Sequence, residues 1–337
     1  MLQLFHSIFG SGHDDAPFPD ELIQRAIERT VDGTDSRLRV VPGYAKKLRS
    51  AVTHAIDHVV ALVDKLPAPL ELDRTKFAID PELIAYFASL THAQEVLSID
   101  PVLNDWLAVP DNAATEHIVM LLLMEQQERH VLGVALEGEI LCRDVAQTTV
   151  SFADYRLLDP TAAEDDTRRL LQRRAFDHLL ALSLEHINAA HTERDQLERE
   201  RQLLRRKQAA LTTGRWTFDY AESDTPPDPQ ALQHQLEEIE SQLLSLGAGP
   251  SLLTAHLEIV VDTLSKAEQN FWLEHQPLIV NRMGIQQTQA STQAPQIELT
   301  LLRNVAGRRL VARLVGIARA NLPPRRDLLH EAQRVLG

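Results

Sequence analysis

Apolar residues along this chain recur first at helical spacing, then at strand spacing, then in heptads. Leu22, Ile23, Ala26 and Ile27 share one helix face, as do Val52, Ile56, Val59, Val60 and Val63. Asp80-Pro81 and Asp100-Pro101 each predict a helix start. The aspartate accepts an orphan amide, and the proline has no amide to orphan. The helix after Asp80 is expected to bury Leu83, Ile84, Phe87 and Leu90, and the shorter one after Asp100 to bury Leu103, Trp106 and Leu107.

The period then changes. Ile118 to Met124 is an unbroken apolar run, followed by the polar Glu125-Gln126-Gln127-Glu128. Val131, Leu132, Val134 and Leu136 come next, then Ile140-Leu141, then Thr148 to Phe152. Three or four strands joined by short turns fit this pattern, with the first, apolar on both faces, at the centre. Asp159-Pro160 predicts the next helix, and no breaker follows from Arg168 to about Thr212. At ~1.5 Å per residue such a helix is roughly 65 to 75 Å long. Phe176, Ser183, Ala190, Leu197, Leu204 and Leu211 recur every seventh residue, and the companion position reads Leu180, Ile187, Arg194, Arg201 and Gln208.

After an interruption from Thr213 to Pro227, Asp228-Pro229 starts another helix with Leu232, Leu236, Ile239, Leu243 and Leu246 in strict heptad spacing. Gly247 to Pro250 breaks it, and Leu253, Leu257, Val260, Leu264, Ala267 and Phe271 resume in the same frame. Such a repeat implies a left-handed coiled-coil seam, and the short connection favours an antiparallel hairpin. Strands return at Leu278 to Val280, Gln296 to Leu302 and Leu310 to Ile317, with a hairpin turn at Asn304 to Gly307. A short helix is expected from Asp327.

Both strand groups are small and flank the heptad region, so they are expected to join in one sheet. The expected fold class is therefore α+β and mainly α. The parts are an apolar N-terminal segment at 1–19, a helical domain at 20–112, a small antiparallel or mixed β base from 113–160 plus 275–337, and an inserted coiled-coil hairpin at 161–274 with its tip loop at 213–228.

Composition narrows the function classes. The 337 residues carry 34 Lys and Arg against 48 Asp and Glu, a net charge of -14. A whole-protein electrostatic grip on nucleic acid or anionic lipid is disfavoured. The single cysteine, Cys142, cannot form an internal disulfide, and no run approaches the ~18 apolar residues of a membrane span. Cytoplasmic localisation is the expectation. Leu2, Leu4, Phe5, Ile8 and Phe9 give the N-terminus an apolar stripe with no basic residue beside it, which favours packing over lipid contact.

Candidate chemistry is sparse. His54, Asp57 and His58 lie one helical turn apart and form half of a metal site, with no second ligand pair at a recognisable spacing. His13-Asp14-Asp15 follows two glycines in a segment without helical pattern. His178, Glu185, His186, His191 and Glu193 read as surface residues of the long helix. Cys142, within a strand run, reads as a buried structural thiol. No phosphate loop, dinucleotide fingerprint or nucleophile elbow is present, and no cofactor is expected.

From Gln296 to Gly337, eight arginines against three acids give +5, leaving -19 for the remainder. Within this segment Arg308, Arg309, Arg313, Arg325 and Arg326 are candidates for holding phosphate or an acidic partner. Intramolecular pairing is the alternative. Trp216, Phe218 and Tyr220 alternate in the tip loop, as a partner-docking site or as cover for the under-filled seam.

The first functional expectation is a non-enzymatic protein–protein interaction or scaffold protein, with a protein partner or a second copy meeting the coiled coil. The alternatives are a metal-dependent enzyme using His54, Asp57 and His58, and phosphate-backbone binding through the C-terminal arginines.

Overall fold

The computed structural model describes residues 18–137, 140–212, 228–246 and 250–322. The fold is mixed α+β, with a six-stranded sheet and a 49-residue helix between its third and fourth strands. The expectations for the N-terminal segment, His13-Asp14-Asp15, the tip loop with Trp216, Phe218 and Tyr220, Arg325, Arg326 and the helix from Asp327 lie outside the described residues.

In chain order the helices are α1 (Asp20–Gly33), α2 (Tyr44–Asp64), α3 (Pro81–Tyr86), α4 (Leu90–Ile99), α5 (Pro101–Ala108), α6 (Glu164–Thr212), α7 (Pro229–Ser245), α8 (Pro250–Ser265) and α9 (Ala267–Asn270). The strands are β1 (Leu70–Glu71), β2 (His117–Glu137), β3 (Ile140–Thr161), β4 (Phe271–Ile279), β5 (Gln296–Asn304) and β6 (Arg309–Ala318). Among the described residues the chain divides into two compact units: His58–Ala175 with 268–322, and 18–57 with Phe176–Ala267.

The first unit holds the sheet, ordered β3-β2-β6-β5-β4, with β1 parallel to the far end of β6. The two strand groups therefore do join across the helical insertion. The run in β2 is apolar on both faces because both faces are covered. Ile118, Met120, Leu122 and Met124 pack with Leu83, Tyr86, Phe87 and Leu103. The alternate Leu121 and Leu123 pack with Leu62, Val63 and Leu66 of α2, with Leu171 of α6 and with Leu314. As expected for a run with no polar face, β2 is central, between β3 and β6.

The expected three or four middle strands are two. Glu125 to Glu128 does not turn; β2 continues through it, paired with Ser151 to Ala153 and Val150 of β3. Polarity here marks exposure, while the backbone ladder runs on. Pairing slips three times, after Val119, Leu123 and Gly133. Opposite these slips β3 carries Asp159, Asp154 and Asp144, all with positive φ (50°, 53° and 58°). Each is a β-bulge, and aspartate is among the few residues that enter the left-handed region cheaply.

Asp159-Pro160 is therefore a bulge inside β3, not a helix start; α6 begins at Glu164. The Asp159 carboxylate accepts from Arg174 at 2.7 Å to each oxygen. Phe271 likewise opens β4 instead of closing the heptad run. The other starts hold: Asp80 caps α3, and Asp228 caps α7 through Gln230 N at 3.0 Å. Asp100 accepts from Leu103 N at 3.0 Å and from Leu157 N at 3.1 Å, so one buried carboxylate ties α5 to β3. The β5–β6 turn closes with Gly307 N donating to Asn304 O at 3.0 Å, at a φ of 76° that suits glycine.

The second unit is helical. Arg29 of α1 reaches Asp177 of α6 at 2.6 Å, and α1 ends on Gly33, where a Cβ would stand 2.9 Å from Leu180. Three contacts set the direction of α6 against the helices that follow it: His186 with Thr263, His191 with His256, and Arg205 with Glu240. As one number rises the other falls, so the helices run antiparallel. Leu204 of α6 is buried in one cluster with Leu232, Leu236, Ile239 and Leu243 of α7, and Leu197 and Leu211 pack against it.

Candidate functional site

The site begins with one histidine in the wrong place for a histidine. His256 of α8 follows the heptad frame one residue before Leu257 and is only 1 % exposed. Its Nδ1 lies 3.3 Å from Oδ2 of Asp35, which heads a short 3₁₀ turn, Ser36–Val40, after α1. Arg37, in the same turn, donates to the Asp35 carboxylate from Nε and its terminal nitrogen (2.9 and 2.8 Å) and from its backbone N (3.0 Å). These Arg37 bonds, with a smaller contribution from His256, outweigh partial burial and hold the Asp35 carboxyl down at about 2.

Burial depresses the His256 pKa, against the pull of Asp35, so the ring is neutral at neutral pH. Asp35 is then an anion that can only accept. Nδ1 of His256 must carry the single ring proton, and Nε2 keeps a lone pair that is buried without a hydrogen-bond partner among the described residues. The His191 ring meets His256 edge to face at 4.6 Å.

His256 lines a cleft of about 460 Å³ within the helical unit. Its other polar lining comes from His186, Thr263, Glu258 and Asp262. Ala190, Leu246, Leu252, Ala255 and Ile259 supply the apolar wall. His186 Nδ1 lies 3.1 Å from Thr263 Oγ1, and Asp262 holds Lys266 at 2.6 Å. His186 and His191, expected to be uninvolved surface residues of the long helix, are thus correctly exposed or half-exposed but belong to this constellation.

The sequence-predicted residues fall elsewhere. His54 and Asp57 are exposed on α2, and His58 Nε2 lies 2.7 Å from the Phe271 carbonyl. Among the described residues, no group of three or more His, Cys, Asp or Glu is placed to hold a metal ion. Arg313 is buried; it donates to Glu82 and to the Ala68 carbonyl, both at 2.6 Å, and is consumed within the protein. Arg309 is exposed and donates to Gln126 and Gln276 at 2.9 and 2.7 Å, and Arg308 is exposed at the β5–β6 turn. Cys142 lies in β3, but its side chain is outside the described residues.

Asp35 and His256 had no local signature, because 221 residues separate them. One signal was available: a histidine beside a seam leucine in a stretch, Leu252 to Val261, whose other polar residues are Thr254 and Glu258. Among the described residues no helix is long and apolar enough to cross a membrane. No protein family matches the chain, and neither a curated protein nor a solved structure matches it.

Proposed function

We propose that this is a non-enzymatic interaction protein whose paired helices α6 and α7 dock a second copy of the chain, as an antiparallel coiled coil with an apolar outer face. The observation that carries the reading is a pair of leucines left out of the seam. Leu204 and Leu243 are buried in the shared cluster, yet the adjacent Leu203 and Leu244 are 52 % and 75 % exposed. The Arg205–Glu240 contact puts Leu203 and Leu244 at about the same level of the helix pair. Large aliphatic groups on both helices at one level are expected to seek cover.

Polar residues occupy the companion seam positions Arg194, Arg201 and Gln208, all half-buried. Such positions weaken a two-helix pair taken alone and favour selective association. Trp216, Phe218 and Tyr220, in the connection between α6 and α7, belong to the same proposed docking element.

The test is the mass of the full chain in solution, by light scattering, for wild type and the double variant Leu203→Lys, Leu244→Lys. A dimer that becomes a monomer, with the melting temperature unchanged within a few degrees, supports the reading. A wild-type monomer at tens of micromolar, or a dimer indifferent to both lysines, overturns it.

A further inference from the structure

We propose that the C-terminal segment, residues 323–337, docks back as an amphipathic helix in a groove beside α4, within the unit that holds the sheet. The inference goes beyond the docking of a second copy on α6 and α7 and does not rest on it. One side of the groove is Leu90, Ala93, Gln94 and Leu97 of α4. These stand at i, i+3, i+4 and i+7, which is one face of a helix. Leu72 and Phe77, from the stretch after β1, and Ile317 of β6 supply the rest of the apolar lining. Leu90 and Phe77 are only half-buried. Asn321 lines the same groove, so the described chain ends at it. That end is tied down. Arg319 N donates to the Glu116 carbonyl at 2.7 Å, and the Arg319 guanidinium donates to the Asn112 carbonyl at 2.9 Å. Leu322 N donates to the Arg319 carbonyl at 3.1 Å, and the Leu322 side chain packs against the cluster that holds Leu97 and Ile317.

The segment beyond Leu322 has the pattern that such a groove needs. Leu328, Leu329, Ala332, Val335 and Leu336 recur at i, i+1, i+4, i+7 and i+8, so they share one face of a helix that starts at Asp327. Five residues separate Leu322 from Asp327, at most about 18 Å of extended chain. The ten residues of α4 are about 15 Å long, so that helix start stays within reach of the groove. A helix of about ten residues is marginal in water by itself, and its apolar face needs cover to hold it. The charges agree as well. Glu95 is the one carboxylate on α4, which carries neither Lys nor Arg, whereas Arg325, Arg326 and Arg334 outnumber Asp327 and Glu331 in the segment.

The test is the distance between two spin labels in the full chain. Cys142→Ser removes the native thiol, and Thr91→Cys with Gln333→Cys supplies the two labelling sites; Thr91 is exposed on α4, and Gln333 lies off the apolar stripe of the segment. One narrow distance is expected, unchanged when the labelled chain is diluted into a large excess of unlabelled chain. Adding Leu329→Asp and Leu336→Asp is expected to replace it with a broad distribution, and to raise hydrogen exchange at the α4 amides several-fold. A broad distribution before the aspartates are introduced would overturn the proposal. So would a narrow distance that disappears on dilution, which would put the segment of a second copy in the groove, or one indifferent to both aspartates. Association through α6 and α7 leaves an intramolecular distance intact on dilution, so the two readings fail separately.

Discussion

At the scale of single residues, the Asp35–His256 pair makes stability depend on pH in a defined direction. Asp35 has its folded value lowered from 3.8 to about 2, so its contribution is complete above 3.8 and is lost as pH falls through about 2. Its side chain is 9 % exposed, and a shift of this size corresponds to about 2 kcal/mol. His256 is also lowered, from 6.5, mainly by burial. The unfolded chain takes up that proton first, so the stability gained by keeping the ring neutral is complete above 6.5 and declines below it. Asp35→Asn removes the anion that Arg37 and His256 share. Urea midpoints of wild type and variant are expected to differ most at pH 7 and to converge as pH falls from 4 toward 2. A constant gap across that range would show that the carboxylate charge contributes nothing.

At the scale of elements, the long β2–β3 pair depends on its three bulges. Asp154 is exposed, has a φ of 53° and stands at the slip between Leu123 and Glu125. Asp154→Gly is expected to leave stability within about 0.5 kcal/mol, because glycine enters this region freely. Asp154→Val is expected to cost about 1–2 kcal/mol more, because a β-branched Cβ clashes there. Denaturant titration of the two variants measures the difference, and equal midpoints would mean that the bulge does not need a left-handed residue.

The same bulges show what the sequence could and could not reveal at this scale. Asp80-Pro81, Asp100-Pro101 and Asp228-Pro229 were legible because a cap is a local device, satisfied by amides two or three residues on. Asp159-Pro160 has the same spelling, but its φ of 50° is set by pairing with β2 some forty residues earlier. Glu125 to Glu128 hid the strand because hydrophobic alternation reports burial, and this stretch is paired without being buried. The heptad frame ran on to Phe271 because Leu264, Ala267 and Phe271 keep the spacing, although the helix α8 has already ended at Ser265. The cleft was illegible for a stronger reason: its two key groups come from α8 and from the turn after α1, and only tertiary packing joins them.

At the scale of the whole molecule, the sheet is assembled from two stretches of chain, one holding β1 to β3 and the other β4 to β6, joined through the β2–β6 and β1–β6 pairings. Register His117↔Ala318 and Met124↔Val311 binds the first and last long strands, with the helical insertion between them in sequence. Without β6, the β2 edge from His117 to Met124 loses its ladder. Leu121 and Leu123 also lose Ala312 and Leu314 from their cluster, and Met120 and Leu122 lose Val311 and Val315. A two-stranded pair with one uncovered edge is marginal in water, whereas closing the long loop costs only a slowly growing entropy. A fragment of residues 44–175 is therefore expected to show helix and strand signal without a cooperative thermal transition, and to bind a dye for exposed apolar surface. A second fragment, residues 268–322, supplies β4 to β6 and is expected to restore cooperativity when mixed at equimolar concentration, because the register is specified by apolar faces that match on one alternation only. The rate of this recovery is expected to depend on concentration, where the intact chain closes the same pairing in a first-order step. Cooperative melting of the first fragment alone, at the temperature of the full chain, would show that β2 and β3 with their helices are self-sufficient and that β6 joins a sheet already formed.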